Sequence, residues 1–317
     1  MKRIITALGV IISLCVIITS CGISAPNDSA ESKISTPDES TAAQTTVSNT
    51  TVPETTAPAA NSGGKKTDKN ILLIGHRGYM GQYPESTIQA FKGAFGSGFD
   101  GIECDVWEGR NGDLLIHHDP TILRTTGKKK YIWTLSKKSR NKYPITKGDK
   151  VDRYHSTKLL IPTLEEVLEV VDKNNGYLML HIKDIKNDRK YRLSKSGEKK
   201  IISLLKKYNL RKKTLIFGGK SYVSPFLKKG FKTGIFTSPK KKKKFLSEAR
   251  WCKRKGVDTL VFANMKNLSR SGGGKYIAKH LKKEKLDFGV YKTNSGKAYR
   301  KLCRIGAWFA MSNFDIR

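Results

Sequence analysis

The stretch from Gly101 to Asp119 reads GIECDVWEGRNGDLLIHHD and holds five carboxylates and two adjacent histidines among apolar residues. Carboxylates bind hard divalent cations, and imidazoles move protons near neutral pH. The two apolar runs lie too close together for a helix between them, and Asn111-Gly112 is typical of a two-residue hairpin turn. The sequence therefore predicts two antiparallel strands that carry a cluster of reactive side chains.

The predicted turn assigns these side chains to two faces. With Asn111-Gly112 as the turn, Asp105 faces His118 across the hairpin. Glu103 shares that side with Asp105, because side chains alternate along a strand. His117 then points to the opposite side and is predicted to pack. A divalent cation held by the two carboxylates, beside an imidazole that transfers a proton, is the simplest chemistry for the first face.

Two other predicted strands carry residues of the same kind. The first strand ends in Gly75-His76-Arg77-Gly78, where the glycines allow a ligand to approach closely. In the strand at residues 176–184, His181 and Lys183 share a face. A metal ion and cationic side chains can stabilise the charge of a phosphorane, while one imidazole removes a proton and another supplies one. The combination indicates phosphodiester cleavage.

Residues 70–317 contain recurring apolar, β-branched runs that alternate with segments of helical period. In one such segment Thr163 can cap a helix whose first turn holds Glu165 and Glu166. The alternation implies a parallel sheet, and about eight repeats favour an α/β fold of the closed (β/α)8 TIM barrel type. A doubly wound open sheet is the competing architecture, but no GxGxxG follows the first strand. The apolar runs begin at residues 71, 101, 113, 176, 213, 232, 258 and 287.

The barrel is expected to be irregular at its second and third strands. Only residues 107–112 separate these strands, so no helix can lie between them. The polar stretch from Thr121 to Leu160 is too long for a simple connection. It is predicted to be a small insertion over one end of the barrel.

The N-terminus has the order of an export signal. A short positive start precedes the uncharged run from Ile4 to Ile18, which is shorter than the roughly 20 residues of a membrane-spanning helix. Residues 1–21 resemble a bacterial lipoprotein signal that ends at a lipidated Cys21; an uncleaved anchor helix or a plain secretory signal is the alternative. Residues 22–69 are rich in Ser, Thr, Ala and Pro and predict a disordered tether. We expect residues 70–317 to lie outside the cytoplasm, anchored to the membrane through Cys21.

The charge of the chain is strongly basic. The formal net charge is +34, and the first 69 residues hold six basic and six acidic residues, so the whole excess lies in residues 70–317. An anionic membrane or cell-wall surface is therefore an expected partner. Apart from the run Lys240 to Lys244 the basic residues are dispersed, and no nucleic-acid-binding motif accompanies them. No nucleic-acid partner is expected.

Three cysteines lie beyond the signal. They are odd in number and lack the spacing of a metal site. We expect them to be buried small apolar residues, since nothing in the sequence supports a disulfide: Cys104, Cys252 and Cys303.

Four motifs in order carry a family resemblance. HRGYMGQYPEST is followed by GFDGIECDVWEGRNGDLLIHHDPTILRTTG, then by IPTLEEVL and LMLHIKD. Together they resemble the successive motifs of the glycerophosphodiester phosphodiesterases, and they span much of residues 70–317. The resemblance implies a (β/α)8 barrel that hydrolyses a glycerophosphodiester to glycerol 3-phosphate and an alcohol. In that family the neighbouring glycerol hydroxyl is thought to attack first, giving a cyclic phosphate that water opens.

The resemblance also implies roles for individual residues. By position, His76 and His118 correspond to the general acid/base pair, and Arg77 and Lys183 to contacts of the phosphate. The substrate implied is a small glycerophosphodiester. The oligomeric state expected is a monomer.

The metal site implied by the resemblance differs from the family's in one ligand. Glu103 and Asp105 correspond to ligands of one divalent ion, usually calcium or magnesium, and Glu85 to a supporting carboxylate that reaches the metal. The family usually has a glutamate where this chain has His181. Loss of that negative charge should favour zinc or manganese, which accept imidazole. His181 is thus predicted as a metal ligand.

Near the C-terminus the chain departs from the family pattern twice. A tryptophan-threonine-x-asparagine motif is usual where this chain has Tyr291 to Asn294. A closing threonine-aspartate appears as Ser312-Asn313. We expect Tyr291 to bind substrate, and recognition of the glycerol group to differ from that of the family.

The main interpretation is a surface-tethered, metal-dependent glycerophosphodiester phosphodiesterase. Two alternatives stay open because of the charge of +34 and of His181. One is a phosphodiesterase that acts on phospholipid or on a glycerol-phosphate wall polymer. The other is a lipoprotein that binds anionic polymer without turnover.

Overall fold

A computed structural model describes residues 70–183, 191 and 193–317. The predicted signal, the tether and Cys21 lie outside these residues. The described part forms a closed barrel of eight parallel strands with helices around it, as the sequence predicts. The barrel strands are β1 Leu72–Gly75, β2 Gly101–Glu108, β4 Tyr177–Ile182, β5 Thr214–Gly218, β6 Lys232–Thr237, β7 Thr259–Phe262, β8 Asp287–Val290 and β9 Phe309–Ser312.

The ring closes at β1, which pairs in parallel with β9 on one side and with β2 on the other. This double pairing excludes the open doubly wound sheet. One predicted strand is not part of the ring: β3, Leu114–Ile116, pairs with β2 and runs antiparallel to it. The eighth parallel strand is β9, whose short segment FAMS the sequence interpretation missed.

Helices follow most of the strands and cover the outside of the barrel. They are α1 Ile88–Gly96, α2 Leu123–Thr126, α3 Leu164–Lys173, α4 Lys195–Lys207, α5 Lys220–Leu227, α6 Lys242–Lys255, α7 Met265–Arg270, α8 Gly274–Lys283 and α9 Gly296–Arg304. None of these helices is both long enough and apolar enough to span a bilayer, within the residues described. The helix that Thr163 is predicted to cap is α3: the Thr163 hydroxyl accepts from the Glu166 amide, and the Glu166 carboxylate accepts from the Thr163 amide.

Two apolar layers hold the barrel together. Side chains that point outward from the strands pack against the helices in one large cluster that includes Ile102, Cys104 and Val106 of β2. Side chains that point inward form a smaller cluster inside the ring. Because neighbouring positions on a strand face opposite layers, residues 103 and 105 must point into the barrel. The inner cluster contains Ile74, Met179, Leu215, Phe217, Val261, Tyr291, Phe309 and Met311.

The hairpin between β2 and β3 has a different register from the predicted one. Val106 pairs with Ile116 and Glu108 with Leu114, so every pair is shifted by one residue from the two-residue turn. The loop is one residue longer, because Arg110–Gly112 form a 3₁₀ turn in which Asn111 has φ 63°. Three-residue hairpin loops commonly contain such a left-handed residue. The prediction that Asp105 directly faces His118 is therefore wrong.

The segment between β3 and α3 is irregular and has a small core of its own. Its apolar residues pack on Trp107 and Leu115 of the hairpin, in a cluster with Ile122, Ile132, Leu135, Ile145, Leu159 and Ile161. The segment is tied to α3 by Arg140, whose guanidinium donates two hydrogen bonds to Glu166, at 2.7 and 2.5 Å. The insertion is thus a folded cap rather than an open loop.

The three cysteines are buried and unpaired, as expected from their number and spacing. Burial raises the pKa of the Cys104 thiol well above its usual value, and that of Cys252 to about 12. Thiols with raised pKa values are poor nucleophiles. These residues fill space in the core.

Replacing Thr163 by alanine should lower the free energy of unfolding by about 1 kcal/mol, because the first turn of α3 loses its capping hydrogen bond. Urea denaturation of the wild type and of Thr163→Ala measures the difference. Thr157→Ala removes the same atoms from an exposed site and should change the free energy by less than about 0.5 kcal/mol. Equal effects of the two substitutions would contradict a capping role.

Candidate active site at the barrel mouth

Strand β2 brings two carboxylates into the barrel. Glu103 and Asp105 are both fully buried, and they alternate with apolar residues that face the helices. Strand β4 pairs with β2 over six residues, and in this register His181 lies directly beside Asp105. His181 Nδ1 lies 2.8 Å from Asp105 Oδ1. The parallel register thus brings together three residues that lie far apart in the sequence.

These three residues form a group suited to a divalent cation. One ligand atom from each of Glu103, Asp105 and His181 lies within 4.8 Å of the others. Glu103 Oε1 and Asp105 Oδ2 are buried and accept no hydrogen bond from the described residues. Buried carboxylate oxygens without a partner are costly unless they bind a cation. The residues present therefore fit a divalent metal ion.

The aromatic neighbours of His181 hold its ring at the site. The ring stacks on Phe217 of β5, with 4.6 Å between centroids and 9° between planes. Burial lowers the pKa of His181, although its contact with Asp105 raises it. A neutral imidazole has a lone pair and can bind a metal ion. The sequence offered no signal for this stacking partner.

Two cationic side chains approach the same carboxylates. Lys183 Nζ lies 3.3 Å from Asp105 Oδ1, and Arg77 Nε lies 3.8 Å from Asp105 Oδ2. Burial raises the pKa of Asp105, but Lys183 and His181 lower it more, so its pKa is well below the usual value. The pKa of Glu103 is raised by burial and by the charge of Asp105. The predicted phosphate contacts Arg77 and Lys183 thus lie beside the predicted ligands.

Backbone geometry at the end of β1 positions Arg77. Its φ is 54°, in the left-handed region, and its amide donates to Glu103 Oε2 at 3.1 Å. Gly78 follows with φ 79°, and a Cβ there would lie 2.5 Å from the carbonyl carbon of Ala90. Only glycine fits this close approach of the turn to α1. The close packing of this loop therefore requires the glycine that the sequence motif has at position 78.

Glu85 lies outside the group of three ligands. Its carboxylate accepts from Arg77 at 2.8 Å and from both terminal nitrogens of Arg124 at 2.9 and 2.8 Å. Burial raises the pKa of Glu85, but the two arginines lower it more. Its role as a metal ligand stays a prediction, and in this structure its oxygens are used by guanidinium groups.

The two predicted acid/base histidines have different surroundings. His76 is 1 % exposed, and burial is the main reason why its pKa falls from 6.5 to about 3. His118 is partly exposed and its Nδ1 lies 2.6 Å from Asp119 Oδ1. His118 lies near enough to His76 and Asp105 for its charge to influence the pKa of each of them. His117 is buried, as predicted, with its ring bonded to Thr125.

Three residues of the site were not singled out from the sequence. Asp119 links His118 to Arg124, whose Nε donates to Asp119 Oδ2 at 2.7 Å. Asn313 Oδ1 lies 2.6 Å from His76 Nδ1. Asn313 was noted only as a departure in glycerol recognition, whereas it contacts the histidine itself. The motif HHDPTILRTTG contains both Asp119 and Arg124, and their five-residue separation was the available signal.

A closed (β/α)8 barrel with paired acids, two histidines and cations at the carboxyl ends of its strands has the form of an enzyme active site. Residues 76–229 match the model of the glycerophosphoryl diester phosphodiesterase family. The match covers just under half of the chain, and over these residues the chain is similar to this family. The matched range includes both histidines, the three candidate metal ligands and Lys183.

Curated relatives agree with this assignment over part of their length. A glycerophosphodiester phosphodiesterase of Bacillus altitudinis is 36% identical over 109 residues, 34% of this chain and 42% of the relative. One from Caldanaerobacter subterraneus subsp. tengcongensis is 34% identical over 147 residues, 46% of this chain and 56% of the relative. The chain thus spans about half the length of these relatives.

Solved structures share the fold at low identity. A phosphodiesterase of Oleispira antarctica, in complex with the product sn-glycerol-3-phosphate, has a TM-score of 0.64 at 20% identity and covers 76% of this chain and 92% of its own. A glycerophosphodiester phosphodiesterase of Thermotoga maritima has a TM-score of 0.59 at 20% identity and covers 77% and 95%. These likenesses show the barrel fold.

The burial of His76 predicts a pH dependence of stability. An unfolded imidazole titrates near 6.5 and the folded one near 3, so between these values the unfolded chain binds a proton that the folded chain does not. The contribution of His76 to the free energy of unfolding is fully present above pH 6.5 and falls as the pH drops. From pH 7 to pH 5 the wild type should lose about 2 kcal/mol more than His76→Gln, measured by urea denaturation. Parallel stability curves would contradict the lowered pKa.

Proposed function

We propose that this protein hydrolyses glycerophosphodiesters to glycerol 3-phosphate and an alcohol, with a divalent metal ion. The observation that carries the proposal is the mouth itself, where Glu103, Asp105 and His181 lie beside two histidines of contrasting environment. The similarity to the family supports the reaction class. The relative from Oleispira antarctica was solved with sn-glycerol-3-phosphate as product.

The chain's own residues account for the parts of such a reaction. A divalent ion held by Glu103, Asp105 and His181 would supply positive charge for the substrate oxygens. Lys183 and Arg77 would bind the phosphate and neutralise the charge that develops on it. The remaining requirement is proton transfer to and from oxygen.

The two histidines suit opposite directions of proton transfer. His76 is held neutral by burial, so it can accept the proton of an attacking glycerol hydroxyl. His118 is more exposed and is paired with the Asp119 carboxylate, which stabilises an imidazolium that can protonate the leaving alcohol. The environment of each ring thus supports the role proposed for it.

We propose that the metal is one that accepts nitrogen. The third member of the ligand group is an imidazole, which calcium and magnesium bind poorly and zinc and manganese bind well. Calcium or magnesium, the usual ions implied by the family resemblance, are the alternative. His181 is therefore the residue that supports zinc or manganese over calcium or magnesium.

A larger anionic substrate is the second candidate. The described residues with large exposed apolar side chains are Leu123, Tyr131, Phe236 and Phe314. Leu123 and Tyr131 lie in the insertion, Phe236 packs on Tyr291, and Phe314 lies against the loop after β1. Together with the charge of +34 they suit a phospholipid surface or a glycerol-phosphate wall polymer. Release of glycerol 3-phosphate from small diesters, with no cleavage of vesicles or polymer, would exclude this candidate.

We also propose that the protein works outside the cytoplasm. The support is the order of a positive start, a short apolar run and Cys21, followed by a Ser/Thr/Ala/Pro-rich tether. Lipidation at Cys21 would keep the barrel within the tether's reach of the membrane. Globomycin-sensitive processing and incorporation of labelled palmitate, both lost in Cys21→Ala, would test this placement.

The purified protein should release glycerol 3-phosphate from glycerophosphocholine or glycerophosphoglycerol, and chelation should abolish the release. His118→Ala should lower kcat by about 10²- to 10⁴-fold, because it removes the proposed proton donor. His155→Ala, which removes an exposed histidine, should leave kcat unchanged. Absence of metal-dependent turnover across a panel of such diesters would argue strongly against the proposal.

His181→Glu should change the metal preference. A carboxylate in place of the imidazole should tighten calcium binding and weaken zinc binding, each by about tenfold. Isothermal titration of the metal-free protein with each ion measures both constants. His155→Glu adds the same charge at an exposed position and should leave both constants unchanged. Unaltered zinc affinity in His181→Glu would show that His181 is not a ligand.

A further inference from the structure

Both ring nitrogens of His76 are occupied by side chains from the C-terminal part of the barrel. Nδ1 lies 2.6 Å from Asn313 Oδ1, just after β9. Nε2 is hydrogen-bonded to the hydroxyl of Tyr291, just after β8. The ring of Tyr291 also contacts His76 edge-on, with 4.4 Å between centroids. His76 therefore has no free nitrogen with which to meet a substrate.

The partners fix the position of each proton. An amide oxygen only accepts, so Nδ1 carries the hydrogen that points to Asn313. A neutral imidazole has one N–H, so Nε2 has the lone pair and the Tyr291 hydroxyl donates to it. Burial lowers the pKa of His76 to about 3 and raises that of Tyr291, so both groups are neutral at physiological pH. His76 is thus a neutral base whose lone pair accepts the hydrogen of the Tyr291 phenol.

Tyr291 lies between His76 and the open mouth. His76 is 1 % exposed and Tyr291 7 %, while Phe236, 38 % exposed, packs edge-on against Tyr291 with 5.6 Å between centroids. Arg77 lowers the pKa of Tyr291 against the larger effects of burial and of the carboxylates. A guanidinium at this place would stabilise negative charge that appears briefly on the phenol oxygen.

We propose that Tyr291 is a catalytic residue, a proton relay through which His76 takes the proton of the substrate hydroxyl. The inference rests on the proposed function. The substrate O–H bond breaks and its proton bonds to Tyr291 Oη, while the Tyr291 O–H bond breaks and that proton bonds to His76 Nε2. The substrate oxygen keeps the electron pair for its attack on phosphorus. Tyr291 is a neutral phenol before and after, and His76 becomes the imidazolium.

Tyr291→Phe tests the relay with the smallest change of shape. The relay predicts a fall in kcat of about 10²-fold or more, with KM within about threefold, because the phenyl ring still fills the site. Tyr299→Phe is the matched control: it also removes a buried hydroxyl, one that donates to Ile71 O at 2.9 Å. Its kcat should stay at the wild-type value.

The solvent isotope effect separates a relay from a packing role. Two protons move in the same step, so kcat measured across mixtures of H₂O and D₂O should depend non-linearly on the deuterium fraction in the wild type. The dependence should become linear in Tyr291→Phe. If Tyr291→Phe keeps half or more of the wild-type kcat, or is faster, the hydroxyl only blocks Nε2 of His76 and the relay is wrong.

A measurement without turnover keeps the inference apart from the proposed function. In the full chain labelled with ¹⁵N-histidine, His76 should be the neutral tautomer with its hydrogen on Nδ1, and Tyr291→Phe should shift the Nε2 resonance. A hydrogen on Nε2 would overturn the inference even in an active enzyme. An inactive wild type that shows the Nδ1–H tautomer would overturn the proposed function and the relay, while the pairing of Tyr291 with His76 would stand.

Discussion

The burial of two carboxylates, two residues apart on one strand, is the constraint on which the rest of the site depends. Glu103 and Asp105 have no exposed surface and repel one another. A buried pair of this kind is tolerated only with cations or a metal close by. The ends of two neighbouring strands supply those cations, Arg77 after β1 and Lys183 after β4. The positions of these two cationic side chains thus follow from the charge of the buried carboxylates.

The ionic contacts extend from the acids to the cap. Arg77 joins Asp105 to Glu85, Glu85 joins Arg77 to Arg124, and Arg124 continues to Asp119, which contacts His118. Charges alternate in sign along the whole series. Removal of one member would leave its neighbours with an uncompensated charge. The folded insertion, which contains Arg124, is therefore part of the active site and not only a cover.

Local sequence patterns were sufficient to predict the barrel, because the alternation of strands and helices is a local property, and they placed most of the candidate site residues at strand ends. The predicted hairpin register was wrong because Asn111 and Gly112, both left-handed, belong to a loop of three residues rather than two. The last strand was missed because the four residues FAMS, only three of them apolar, give a weak signal. Contacts such as Asn313 with His76 join residues 237 positions apart, and only closure of the ring brings them together. No repeating pattern in the sequence indicates a contact between residues so far apart.

Strand β2 pairs with β4 along one edge, from Gly101 to Val106, so β1 and β3 share the other edge. β1 occupies its lower part and ends at Gly75, while β3 occupies its upper part and ends at Ile116. Strands β1 and β3 run toward each other, and both pair with the backbone of the same edge of β2. His76 and His118 lie just beyond the ends of β1 and β3. The number of β2 residues between those two ends therefore sets the separation of the histidines. Changes in the length of the hairpin tip or of the cap would leave that spacing untouched.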